Sequence, residues 1–126
     1  MVTAAQWREL ALSFPETEEK AHFGNPDFRV RNKIFCGLRA DGREGNLKLA
    51  PEAQSMLLEA RPQAFYPAAG AWGVKGWTHV VMAEAQLEEL RPLIGDAWRS
   101  VAPKSLASAR PAGPAKKRAR SVPRAR

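Results

Sequence analysis

Near the start of the chain, Trp7, Leu10, Ala11 and Phe14 fall at i, i+3, i+4 and i+7. That stripe predicts an amphipathic helix, capped by Thr3 and ended by Pro15. The period then changes from 3.6 to two. Ala21 and Phe23 share a face opposite Glu18, Lys20 and His22, and Gly24-Asn25-Pro26 reads as a turn. Phe28 and Val30 alternate with Asp27, Arg29 and Arg31. Beyond a tight turn at Asn32, Ile34, Cys36, Leu38 and Ala40 alternate with Lys33, Phe35, Gly37 and Arg39. Asp41-Gly42 and Gly45 bracket another turn, after which Leu47 and Leu49 alternate with Asn46 and Lys48. This pattern predicts an antiparallel meander with one face in the core.

Pro51 is placed to open a second helix, with Met56, Leu57 and Ala60 on its inner face and Pro62 as its stop. Residues 65–76 mix Phe65, Tyr66 and Trp72 with Pro67, Gly70, Gly73 and Gly76, which reads as a loop or bent edge. Trp77–Met82 is a last strand. Leu87, Leu90, Leu93, Ile94, Ala97, Trp98 and Val101 form a closing helical stripe, interrupted by Pro92, so a kink or two helices are expected. The expected fold is α+β: an antiparallel sheet of about five strands with helices packed on one face, over residues 1–104. Residues 105–126 are rich in Ala, Pro and Arg and lack aromatics, and are expected to be a disordered tail.

Charge sharpens this division. The net charge is +7, yet residues 103–126 hold eight basic residues and no acids, while residues 1–102 hold twelve basic and thirteen acidic ones. The high isoelectric point therefore belongs to the tail, as in a polyanion-binding arm on a near-neutral domain. Cys36 is the single cysteine, which excludes an internal disulfide and a multi-cysteine zinc site. No apolar run approaches the ~20 residues that cross a bilayer. The N-terminus lacks the apolar stretch of a signal peptide, so a cytoplasmic location is expected.

Several stretches together resemble the MmcQ/YjbR family. They are Ser13-Phe14-Pro15-Glu16-Thr17-Glu18-Glu19, His22-Phe23-Gly24-Asn25-Pro26-Asp27-Phe28-Arg29-Val30 and Lys33-Ile34-Phe35. Leu47-Lys48-Leu49-Ala50-Pro51-Glu52, Trp72-Gly73-Val74-Lys75-Gly76-Trp77-Thr78 and Ala97-Trp98-Arg99-Ser100-Val101-Ala102-Pro103-Lys104 follow in order. The likeness covers about residues 4–106 and leaves out the tail. It implies a fold similar to CyaY, the bacterial frataxin, and a proposed double-wing DNA-binding role. It brings no catalytic residues.

Three constellations could carry chemistry. The first is the polar sheet face, where the registers place Lys20, His22, Arg29, Arg31, Lys33, Arg39 and Lys48 away from the core, spread as phosphate contacts require. The bland alternative is a solvated face of cross-strand charge pairs. The second is Gly70–Trp77, which sets Lys75 between Trp72 and Trp77, aromatics and a cation that suit an unstacked base. The alternative there is a glycine bulge with both tryptophans as core anchors. The third is the tail, with Lys116, Lys117, Arg118 and Arg120, a generic phosphate-binding or merely solubilising arm.

The titratable groups give no support for catalysis. His22 and His79 read as surface or packing residues, Cys36 and His22 fall on opposite faces, and Glu16, Glu18 and Glu19 read as a solvated edge rather than a metal site. The leading expectation is a non-enzymatic DNA-binding protein with weak sequence preference, without cofactor or metal. The alternative is a small-ligand- or protein-binding module with an aromatic pocket near Trp72, Trp77 and Trp98 and an incidental tail.

Overall fold

The computed structural model describes residues 1–107. Helix α1 (Ala4–Leu12) starts at a reciprocal cap: Thr3 accepts from the Gln6 backbone N–H, and the Gln6 side chain accepts from the Thr3 backbone N–H. Trp7, Leu10 and Ala11 are its buried stripe. Four strands follow as a meander: β1 (Thr17–His22), β2 (Asn25–Val30), β3 (Lys33–Leu38) and β4 (Glu44–Lys48). Helix α2 (Pro51–Ala60), β5 (Phe65–Pro67), α3 (Ala71–Val74), β6 (Trp77–Val81), α4 (Leu87–Val101) and α5 (Lys104–Ala107) complete the chain. The six strands form one antiparallel sheet in the order β1-β2-β3-β4-β6-β5.

One face of that sheet is closed. Phe28, Val30, Cys36, Leu38, Leu47, Val80 and Phe65 are buried beneath the helices with Trp7, Leu90, Ile94 and Trp98. Phe14 stacks on Trp98 at 5.8 Å between ring centroids, and the Trp98 indole N–H donates to the Pro15 carbonyl at 3.0 Å. Gln54 of α2 donates to the Thr78 hydroxyl and the Trp77 carbonyl, which ties this helix to the same face.

The expected α+β sheet with helices on one face is what the structure has, with a sixth strand. Residues 65–67 pair with β6, and Pro67 is tolerated there because β5 is an edge strand. Other expectations are corrected. The first hairpin turns at Phe23-Gly24, with Asn25 and Pro26 already in β2, so Phe23 is 96% exposed rather than in the core. Across from the Phe28/Arg29 step, β3 carries a bulge: Cys36 pairs with Phe28, but Ile34 pairs with Arg29. Phe35 and Cys36 are therefore both fully buried, and Ile34 moves to the other face. In α2 the buried residue is Gln54, and Met56 is exposed. Helix α4 is a single element despite Pro92, whose position in the second turn leaves the rest of the helix its full ladder. Helix α5 begins at the boundary expected near residue 104, and its Leu106 packs against the core; the expected disordered tail lies, past residue 107, outside the described residues.

Candidate functional site

Among the described residues, none of the long helices α1, α2 and α4 covers the second face of the sheet. One cross-strand row runs over all six strands: Lys20, Asp27, Gly37, Asn46, His79 and Tyr66. Gly37 is a dip in this row. A Cβ there would lie 3.1 Å from the Pro26 carbonyl oxygen and 3.4 Å from Asn46 Oδ1. Beside it, at Asn46, opens a cleft of about 410 Å³, within the size range of small-ligand sites. Asn46 and His79 line the floor. Ile34, exposed to this face by the bulge, and Trp77 form one wall, His22 another, and Ala68, Ala69 and Trp72 overhang from the segment after β5.

Trp72 reaches the cleft because of local geometry. Gly70, at φ +65°, precedes the short α3, and Gly76, at φ +108°, reverses the chain into β6. A side chain at Gly76 would strike the Leu49 carbonyl, which fixes the close approach of this segment to β4. The Trp72 ring is 64% exposed, and Lys75 Nζ lies 5.6 Å from its centroid. Trp77 is half-buried and directly opposite Lys48.

Two polar groups of the floor have no hydrogen-bond partner among the described residues. No hydrogen bond reaches the Asn46 side-chain amide, which can both donate and accept. His79 Nδ1 is buried, unbonded and 3.9 Å from Glu44 Oε1. The His79 ring is held in place by stacking on Tyr66 at 4.8 Å, and the Tyr66 hydroxyl donates to Glu44, which raises its pKa.

The arginines of this face are paired with carboxylates. Asp27 is buried and takes hydrogen bonds from Arg29 and His22. Burial pushes its carboxyl up, but those hydrogen bonds outweigh it and leave the carboxyl below its ordinary range. Arg29 also reaches Asn32. Arg31 forms a bidentate pair with Glu16, and Arg39 pairs with Asp41 and lies 3.6 Å from Glu44. Lys33 faces Val30 across the hairpin and so leaves the sheet on the helix side.

Of the sequence-predicted site residues, Trp72 lines this cleft, with Lys75 beside its ring and Lys48 opposite Trp77 in the sheet. Arg29, Arg31 and Arg39 each have carboxylate partners. The expectation that Trp72 and Trp77 are core anchors does not hold. Trp98 lies in the core on the far side of the sheet, outside this cleft. Lys116, Lys117, Arg118 and Arg120 lie outside the described residues. Ile34, Asn46 and the alanines were missed by the sequence reading, and His22 and His79 were set aside as surface or packing residues. Only the pairing of the short β5 with β6 and the β3 bulge reveals them.

Cys36 is fully buried on the helix side, opposite His22, and burial pushes its thiol well up against the weak pull of the Trp7 indole N–H. Among the described residues, no group of three His, Cys, Asp or Glu is placed to hold a metal ion. None of the described helices is long and apolar enough to cross a membrane.

A family model, YjbR, matches residues 12–100 of the chain. The crystal structure of the Deinococcus radiodurans protein DR2400, a DUF419 domain, is similar with a TM-score of 0.73 and 22% identity. The alignment covers 86% of this chain and 84% of that one. At that identity the likeness is one of fold. No curated protein matches the chain.

Proposed function

We propose that this chain, which belongs to the YjbR family, is a non-enzymatic nucleic-acid-binding protein that stacks an unpaired base in the open-face cleft. The observation that carries the reading is Trp72: a 64% exposed indole held over a cleft by a glycine-framed segment, with Lys75 against its ring. Stacking on an aromatic beside a cation suits any base, because every base has a π-face. The Asn46 amide, which lines the cleft, supplies a hydrogen-bonding group for its edge. The face itself offers a duplex little, since its arginines are neutralised by Asp27, Glu16, Asp41 and Glu44.

Phosphate contacts fall to the eight basic residues of 103–126. Such contacts position a strand without reading its sequence. This division of labour yields binding with weak sequence preference, DNA being the expected partner.

The test is a salt titration of the full chain with a DNA strand of about twelve nucleotides and with its duplex. Single-strand binding is expected to be tighter. Replacing Lys116, Lys117, Arg118 and Arg120 by Gln should flatten the log–log salt slope by up to ~3, at ~0.7 per lost contact. Tighter duplex binding would overturn the base-stacking reading. A second reading, a small planar ligand in the same cleft with an incidental tail, is favoured by the cleft being concave rather than flat and basic. It requires that no strand binds while a free heterocycle does.

A further inference from the structure

We propose that Phe23 is a second stacking platform, for the base adjacent to the one in the cleft. This rests on the base-stacking reading above. The first hairpin closes with His22 opposite Asn25, so Phe23 and Gly24 form a two-residue loop, at φ +52° and +80°. Both values lie in the left-handed region, the pattern of a type I′ turn, which Asn, Asp and Gly satisfy at least cost. The second hairpin has the same shape, with Arg31 at the position of Phe23, at φ +51°, and Asn32 at that of Gly24, at φ +68°. A bulky aromatic at such a position is a conformational outlier.

Packing does not explain Phe23 either. Its ring is 96% exposed, and its one ring contact is edge-on to His22, at 5.8 Å between centroids. The residue thus gives up both turn preference and burial. Strained, exposed residues of this kind gather at binding sites. The contact partner is itself informative, because His22 lines the cleft and is fixed to Asp27 at 2.8 Å. Phe23 is therefore in ring contact with a residue that lines the cleft. Phenylalanine carries no hydrogen-bonding group, so the platform accepts any base and adds affinity without sequence preference.

The experiment uses the full chain and follows tryptophan fluorescence on adding a deoxynucleoside monophosphate or the corresponding dinucleotide. Wild type is expected to bind the dinucleotide about tenfold more tightly than the monomer, the effect of one stacked base. Phe23→Asn should abolish that advantage, leave the monomer affinity unchanged and not lower the thermal midpoint, since Asn suits the turn. Phe23→Trp should keep the advantage. A dinucleotide advantage that survives in Phe23→Asn, or that is missing from wild type while the monomer still binds, overturns this inference alone. Failure of monomer, dinucleotide and longer strands to bind overturns the cleft reading and this inference with it.

Discussion

The Nδ1 of His22 lies 2.8 Å from the Oδ2 of Asp27, a carboxylate whose side chain is 2% exposed. An ionised carboxylate only accepts, so Nδ1 is the donor, and Nε2 is left as the second hydrogen-bonding atom of the ring. Arg29 completes the set through two hydrogen bonds to the same carboxylate. Because the folded-state carboxyl titrates below its unfolded value near ~3.9, its contribution is fully present above that value. It is lost as pH falls through the lower folded value. Asp27→Asn should therefore destabilise the protein by about 1–3 kcal/mol at neutral pH. In denaturant titrations, the gap to wild type should close below pH ~4.

Trp7 and Gly45 set the thickness of the core at the other face. A Cβ on Gly45 would approach the Trp7 ring to 2.6 Å, and that ring is fully buried. A rigid indole wedged in the core cannot move aside without shifting α1. Gly45→Ala should cost about 1–3 kcal/mol as overpacking, read as a lower denaturation midpoint with an unchanged slope.

Gly76 couples fold to site. Its φ of +108° is strained for any other residue, and a Cβ would sit 1.8 Å from the Leu49 carbonyl oxygen. Leu49 in turn donates to the Gly76 carbonyl at 3.0 Å, an anchor for the segment that carries Trp72. Gly76→Ala should lower stability by about 1–3 kcal/mol from the backbone conformation alone. Single-strand affinity should fall with it, because the overhang moves.

Much of this architecture was legible in the chain. The 3.6-residue stripe of Trp7, Leu10 and Ala11 and the alternation of Leu47 with its neighbours follow from simple periodicity, and both hold. Strict alternation failed at Ile34-Phe35-Cys36, since a bulge spends one residue without advancing the register and places two consecutive side chains on the same side. It failed again at Phe23, where a two-residue loop leaves an apolar side chain at the tip. The cleft was half visible. Trp72 and Lys75 stood out by composition and spacing, while Asn46 and His79 depend on cross-strand pairing between elements far apart in sequence. Charge counting gave the face Lys20, Arg29, Arg31, Lys33, Arg39 and Lys48, of which Lys33 leaves on the helix side and the arginines have carboxylate partners. The pairing of those arginines with Glu16, Asp27, Asp41 and Glu44 depends on contacts that charge counting does not contain.

The most direct test of the central claim compares a base-bearing strand with an abasic strand of the same length, on wild type and on Trp72→Ala. Trp72 is largely exposed, so its removal should leave the thermal midpoint within the small range of surface substitutions. Wild type is expected to bind the base-bearing strand more tightly, by about five- to a hundredfold for each stacked base. Trp72→Ala should erase most of that difference while leaving abasic-strand affinity as it was. Equal affinity of wild type for the two strands would contradict the account, because it would assign all binding to the phosphates.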